Sequence, residues 1–138
     1  MTTGGLLLDT CAVIWVFSGA EIETSARARI SDAASEGRLH LSPISAWEIG
    51  MLVSKGRIAL SLPTVRWVER AFGHAGSRVA ALDPELMVES SFLPGAPPGD
   101  PADRIIIATA RALDLTVVTR DAAILGYAES GHLNALPC

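Results

Sequence analysis

Five carboxylates stand where side chains of this type can act together. Asp9 follows Leu6-Leu7-Leu8, Glu48 lies in Ser45-Ala46-Trp47-Glu48-Ile49, Asp100 and Asp103 open Asp100-Pro101-Ala102-Asp103-Arg104, and Asp121 follows Leu115-Thr116-Val117-Val118-Thr119. Acids gathered in one partly buried place cannot all stay ionised unless protons or a cation neutralise them. An oxygen-only donor set suits Mg²⁺ or Mn²⁺. Zinc is disfavoured, because His40, His74 and His132 are scattered and none adjoins these acids. The chemistry suited to such a cluster is metal-assisted attack of water on a phosphodiester.

Each acid also has a local explanation. Asp9, Asp100 and Asp121 read as helix N-caps, and Asp103 as the third helical residue, closing a capping box with Asp100. Glu48 is harder to account for this way. The helix starting at Pro43 places Ile44, Trp47, Met51 and Leu52 around it at helical spacing, so the sequence predicts an inward-pointing glutamate. A capping box with Ser45 is the local alternative, but Ser42-Pro43 is the better helix start.

The elements that must carry these acids alternate along the chain. Leu6–Leu8 reads as a strand, and residues 10–17 as a helix closed by Ser18-Gly19. A helix capped by Thr24 or Ser25 carries Ala26, Ile30, Ala33 and Ala34 on one side and stops at Gly37. Leu39-His40-Leu41 is a second strand, followed by the helix from Pro43 to about Lys55-Gly56. Val65, Val68, Ala71 and Phe72 give helical spacing after Pro63. Val79–Leu82 reads as a third strand, and Asp83-Pro84 opens a helix ending near Pro94. Proline and glycine then crowd residues 94–99, a loop too short for an interdomain linker.

The helix opened by Asp100-Pro101 continues as Ile105-Ile106-Ile107-Ala108-Thr109-Ala110, apolar on most sides. Such a helix belongs inside a domain, with its acidic mouth against the core. Leu115–Thr119 is the strongest strand, being β-branched and apolar. Apolar strands separated by helices indicate an α/β fold of three layers, with a small, mainly parallel sheet. In such sheets ligands gather beyond the carboxyl ends of the strands, where Asp9 and Asp121 fall.

The sequence has 138 residues, the size of one domain (1–138) with a real core. No apolar run approaches the roughly 20 residues of a membrane span. The segment Met1–Leu6 lacks the features of a signal peptide, so the expected location is the cytoplasm, away from membranes. Cys11 and Cys138 have no metal-ligand spacing; Cys11 is expected to be buried and no structural disulfide is expected. The net charge of −4 announces no basic field for nucleic acid, although the positive charge is nearly all arginine, with Lys55 the only lysine.

With these residues in place, the chain resembles the PIN-domain family, and within it the VapC-like toxins of bacterial toxin–antitoxin pairs. The resemblance rests on Leu7-Leu8-Asp9-Thr10, on Ser45-Ala46-Trp47-Glu48-Ile49 followed by Lys55-Gly56-Arg57-Ile58, on Asp100-Pro101-Ala102-Asp103-Arg104 with its Ile-Ala-Thr-Ala helix, and on Thr119-Arg120-Asp121. Singly these are weak; in this order and spacing they are specific. The resemblance implies an endoribonuclease, the toxin of a type II toxin–antitoxin system, with a Mg²⁺- or Mn²⁺-dependent site and a PIN-like α/β/α fold. It also implies a cognate antitoxin, an RNA substrate such as tRNA or mRNA, and a homodimer that would join the basic residues of two rims.

Carried over by motif, Asp9, Glu48 and Asp103 are the central acids, Asp121 the fourth, and Asp100 an additional metal ligand. By the same resemblance Thr10 and Thr119 would support them through hydroxyl hydrogen bonds, and Arg104 and Arg120 would balance charge nearby or meet phosphate. The loop Pro94–Gly99 is richer in proline and poorer in polar groups than this subgroup leads one to expect. Competing classes lack their marks: a haloacid-dehalogenase-type phosphatase needs an aspartate where Cys11 stands, and neither a dinucleotide fingerprint nor a P-loop is present. The remaining alternative is a catalytically inactive PIN-like module that binds RNA or protein. In favour of activity, Asp9, Glu48, Asp103 and Asp121 are all retained. Trp15, Phe17, Trp67 and Phe72 are the apolar side chains considered for an amphipathic antitoxin segment.

Overall fold

A computed structural model of the chain describes residues 4–138; Met1 to Thr3, part of the N-terminal segment considered above, lie outside the described residues. The elements run β1 (Leu6–Leu8), α1 (Thr10–Ser18), α2 (Thr24–Ser35), β2 (Leu39–Leu41), α3 (Pro43–Ser54), α4 (Thr64–Phe72), β3 (Ser77–Val79), α5 (Pro84–Glu89), α6 (Pro101–Leu113), β4 (Thr116–Thr119), α7 (Ala122–Glu129) and β5 (Asn134–Pro137). The five strands form one sheet in the order β3-β2-β1-β4-β5, and every neighbouring pair is parallel.

Parallel strands need crossover helices, and these bury both faces of the sheet. Alternation along β1 shows it. Leu6 and Leu8 pack with α1, α2, α4 and Ile49 of α3, while Leu7 packs with Ile106, Ile107 and Ala110 of α6 and with Ile124 and Tyr127 of α7. Val117 and Val118 of β4 divide between the same two faces. The result is three layers, with β1 at the centre of the sheet.

Helix starts follow the local chemistry read from the sequence. Asp9, Ser42, Asp83, Asp100 and Asp121 each accept a backbone N–H from the first turn of the helix they precede, and α3, α5 and α6 have proline in that turn. In α6 residues 105–110 are all buried, the expected apolar rod. At the start of β1 the chain must pass close to its neighbours: a Cβ on Gly5 would lie 2.9 Å from the Arg38 carbonyl oxygen.

Several expectations are corrected. The third strand is Ser77–Val79 rather than Val79–Leu82, because pairing Leu39 with Ser77 sets its register. Helix α5 ends at Glu89, well before Pro94. Helix α2 is capped by Glu23, whose carboxylate accepts the Ala26 N–H at 3.1 Å, instead of by Thr24 or Ser25. Strand β5, not expected from the sequence, pairs along the free edge of β4. Cys11 is exposed; Cys138 is buried, and neither forms a disulfide.

Candidate active site

Parallel β1 and β4 bring Asp9 and Asp121 to one edge of the sheet. Helix α6 leads back towards the start of β4, so its opening residues Asp100 and Asp103 stand at the same edge, and α3 packs against both α1 and α6. Glu48, Asp9, Asp100, Asp103 and Asp121 lie close enough for their charges to act on one another. Together they form an acidic rim that grades from buried to open. Asp9 is only 6% exposed, Asp103 and Glu48 are partly buried, and Asp100 and Asp121 are exposed.

The local and functional readings of the aspartates are compatible. As a cap, Asp9 uses Oδ1 to accept the Ala12 N–H at 2.8 Å, and Oδ2 accepts the Thr119 hydroxyl at 2.5 Å. Asp100 accepts the Asp103 N–H at 2.9 Å through Oδ1, and Asp121 accepts the Ile124 N–H at 2.9 Å through Oδ2. The second oxygen of each of these two remains free to face the rim. Asp103 and Glu48 cap nothing and have no hydrogen-bonded side-chain partner among the described residues.

The cluster is electrostatically unbalanced. Among the described residues the only ion pair is Arg38 with Glu36, and no arginine pairs with a rim acid. Burial, followed by repulsion from Asp100, Asp121, Glu48 and Asp9, pushes the Asp103 carboxyl up to about 7. Asp9 is likewise raised, chiefly by burial, against the lowering effect of its bonds from Thr119 and Ala12. The described residues contain no ready-made cage of three or more His, Cys, Asp or Glu ligands. The all-oxygen donor set and uncompensated charge fit a hard divalent cation, with Asp9, Asp103, Asp100, Asp121 and Glu48 available as ligands.

Some placements differ from those expected of the sequence. Trp47 is 56% exposed and Met51 only partly buried, so Glu48 flanks the buried Ser45–Ile49 side of α3 instead of sitting inside an apolar stripe. Thr119 bonds Asp9 as expected. The Thr10 hydroxyl instead meets Ser45 Oγ at 3.0 Å, fastening α1 to α3 beneath the rim. Arg104 donates from Nε to the Pro98 carbonyl at 2.8 Å. Arg120 donates to the carbonyls of Glu21 and Cys138 and lies 4.0 Å from the centre of the Trp15 ring, so it holds the chain together and leaves the acids unpaired. Cys11 is a rim residue that sequence reasoning missed: although the residue as a whole is exposed, partial desolvation of its thiol and repulsion from Asp9, Glu48, Asp103 and Asp121 push it up to about 11. Its position in the first turn after Asp9 was the available signal.

Comparison with known proteins agrees with this geometry. Residues 6–129 match the PIN domain. The chain is 32% identical over 121 residues to Ribonuclease VapC22 of Mycobacterium tuberculosis (strain ATCC 25618 / H37Rv), covering 88% of each chain. Among solved structures it is similar to VapBC2 from Rickettsia felis bound to a DNA fragment from its promoter, with a TM-score of 0.68, 15% identity and coverage of 96% of this chain and 97% of that one. It is also similar to FitAcB from Neisseria gonorrhoeae, with a TM-score of 0.58, 20% identity and coverage of 95% and 96%. The mainly parallel sheet between two helical layers is thus the fold of these proteins, and the chain belongs to the PIN-domain family, among its VapC-like members.

Proposed function

We propose that this chain is a metal-dependent endoribonuclease, the toxin of a type II toxin–antitoxin pair. The observation that carries this reading is the convergence of five carboxylates on one edge of the sheet with no arginine paired to any of them among the described residues. Likeness to Ribonuclease VapC22 supports RNA as the substrate, and likeness to the VapBC2 structure supports an antitoxin partner.

A Mg²⁺ or Mn²⁺ ion held by these acids would lower the pKa of water and offset the charge of a phosphodiester. Asp9, locked by Thr119 and the Ala12 N–H, would be the fixed floor of the site, and Asp103 with Asp121 or Asp100 would complete the ligand set. Asp100 and Asp121 each spend one carboxylate oxygen on a helix cap, which leaves the other available as a ligand. Glu48 has no competing hydrogen bond and stands opposite α6. It is suited to a second cation or to orienting the attacking water. In-line attack leaves a 5′-phosphate and a 3′-hydroxyl.

The surface proposed for the antitoxin segment is a hollow of about 290 Å³ whose lining includes Phe17, Leu62, Trp67, Arg70 and His74. Trp67 is mostly core, so Phe17 and the rim of the hollow are the contacts offered. A homodimer would use exposed apolar side chains, Trp47, Met87, Val88 and Phe92 among them.

The test is cleavage of a tRNA or total-RNA pool by purified, antitoxin-free protein with Mg²⁺ or Mn²⁺, against EDTA and against Asp9→Asn and Glu48→Gln. We expect metal-dependent products with 5′-phosphate ends, lost in both variants. A 2′,3′-cyclic phosphate product rules the route out. Absence of cleavage by folded wild type across a broad RNA set leaves an RNA- or protein-binding module.

A further inference from the structure

The proline-rich loop, which the proposed chemistry leaves without a role, is anchored at both ends. Near its start the Tyr127 hydroxyl donates to the Pro94 carbonyl at 2.6 Å. Near its end Arg104 of α6 donates to the Pro98 carbonyl at 2.8 Å. Pro94, Pro97 and Pro98 fix φ at three of the six loop positions 94–99. Gly95 has φ +69°, and a Cβ there would lie 2.7 Å from His132 Nε2, so the loop passes directly under that ring. His132 in turn packs on Tyr127, with ring centres 5.3 Å apart, and its carbonyl accepts from Arg111.

This makes the loop a strut between two helices that open on the rim. Tyr127 belongs to α7, which begins at Asp121. The loop ends at Asp100 and leads into α6 with Asp103. A tyrosine 3% exposed, with its hydroxyl committed to one carbonyl, is a persistent donor at the far end of that strut.

We propose that Tyr127 is a positioning residue of the acidic rim: by bonding the Pro94 carbonyl it sets the separation between Asp121 and the Asp100–Asp103 pair, and hence the affinity for a divalent cation. The proposal rests on the reading of the rim as a cation site.

The test measures Mn²⁺ binding to the full chain without RNA, from the electron paramagnetic resonance of free Mn²⁺. The proteins are wild type, Tyr127→Phe, Asp103→Asn and Leu133→Ala. Leu133→Ala thins the same core cluster but keeps the Tyr127 hydroxyl and the Pro94 carbonyl, and serves as a stability control. We expect wild type to bind and Asp103→Asn to lose at least tenfold in affinity. Tyr127→Phe, which keeps the ring on His132, should lose three- to tenfold and exchange the amides of residues 95–100 faster. Leu133→Ala should bind as wild type despite a lower Tm. In cleavage assays Tyr127→Phe should need more metal for half-maximal rate yet recover kcat at saturation. If Tyr127→Phe binds within twofold of wild type while Asp103→Asn does not bind, the positioning role is wrong and the cation site stands. The positioning role is equally wrong if Leu133→Ala weakens binding as much as Tyr127→Phe. If wild type does not bind Mn²⁺, the cation site fails and the Tyr127 role with it.

Discussion

Replacing Asp103 with asparagine should stabilise the protein at alkaline pH and leave it unchanged in acid. The folded carboxyl titrates near 7 against an ordinary value of 3.8, because burial and four neighbouring carboxylates oppose its ionisation. Between those values the native state holds a proton that the unfolded chain has released, so stability falls as pH rises. The destabilisation is absent below about pH 4 and complete above about pH 7. About three units at roughly 1.4 kcal/mol each give about 4 kcal/mol. Solvent screening of a partly exposed group roughly halves this. The variant should therefore exceed wild type by about 2 kcal/mol at pH 8 and by nothing at pH 4. Urea unfolding followed by circular dichroism, with EDTA, at pH 4, 6, 7 and 8 reads the difference directly. A difference that stays flat with pH, or a variant weaker than wild type at pH 8, would refute the electrostatic account of the rim.

Mg²⁺ at ten times its Kd should stabilise wild type at pH 8 by about 1.4 kcal/mol in the same assay, and Asp103→Asn much less; equal gains would place the cation elsewhere. Thr119→Val strips Asp9 of its 2.5 Å hydroxyl bond and should cost about 2 kcal/mol at pH 7. Because that bond holds the Asp9 pKa down, the loss should be larger at pH 8 than at pH 5, and a loss that shrinks towards alkaline pH contradicts this. Asp121→Asn keeps a competent cap and should leave Tm nearly unchanged while weakening Mn²⁺ binding, whereas Asp121→Ala should lose about 1 kcal/mol in addition, as thermal melts would show. Cys11, with its thiol at about 11, should react with iodoacetamide at pH 8.5 roughly tenfold more slowly than an unhindered cysteine, as peptide mass spectrometry over time would record, and Asp103→Asn should speed it. A Cys11 that alkylates at the ordinary rate speaks against a field from the rim.

The parts of the fold legible in the sequence are those set by short-range chemistry. Ser42-Pro43, Asp83-Pro84 and Asp100-Pro101 announce helix starts because the capping oxygen and the N–H it receives lie within three residues. The central strands β1, β2 and β4 are legible because strands covered on both faces must be apolar throughout. Edge strands are not under that demand. Ser77–Val79 and Asn134–Pro137 are polar or mixed, and each is a strand only because a neighbour offers it a free edge.

The five acids of the rim were readable as residue types at strand ends and helix openings, and their convergence followed from parallel topology. What the sequence by itself determined, then, is which helices start where, which strands are central, and which carboxylates reach one edge of the sheet. Contacts between residues distant in sequence belonged to the tertiary structure. It turned Trp47 outward, placed Cys11 on the rim, tied Arg120 to Trp15 and two carbonyls, and joined Tyr127 to Pro94 across 33 residues. Local propensity constrains a residue's own backbone and its first few neighbours. The partner that a long side chain finds depends on how whole layers dock, and no spacing along the chain records that.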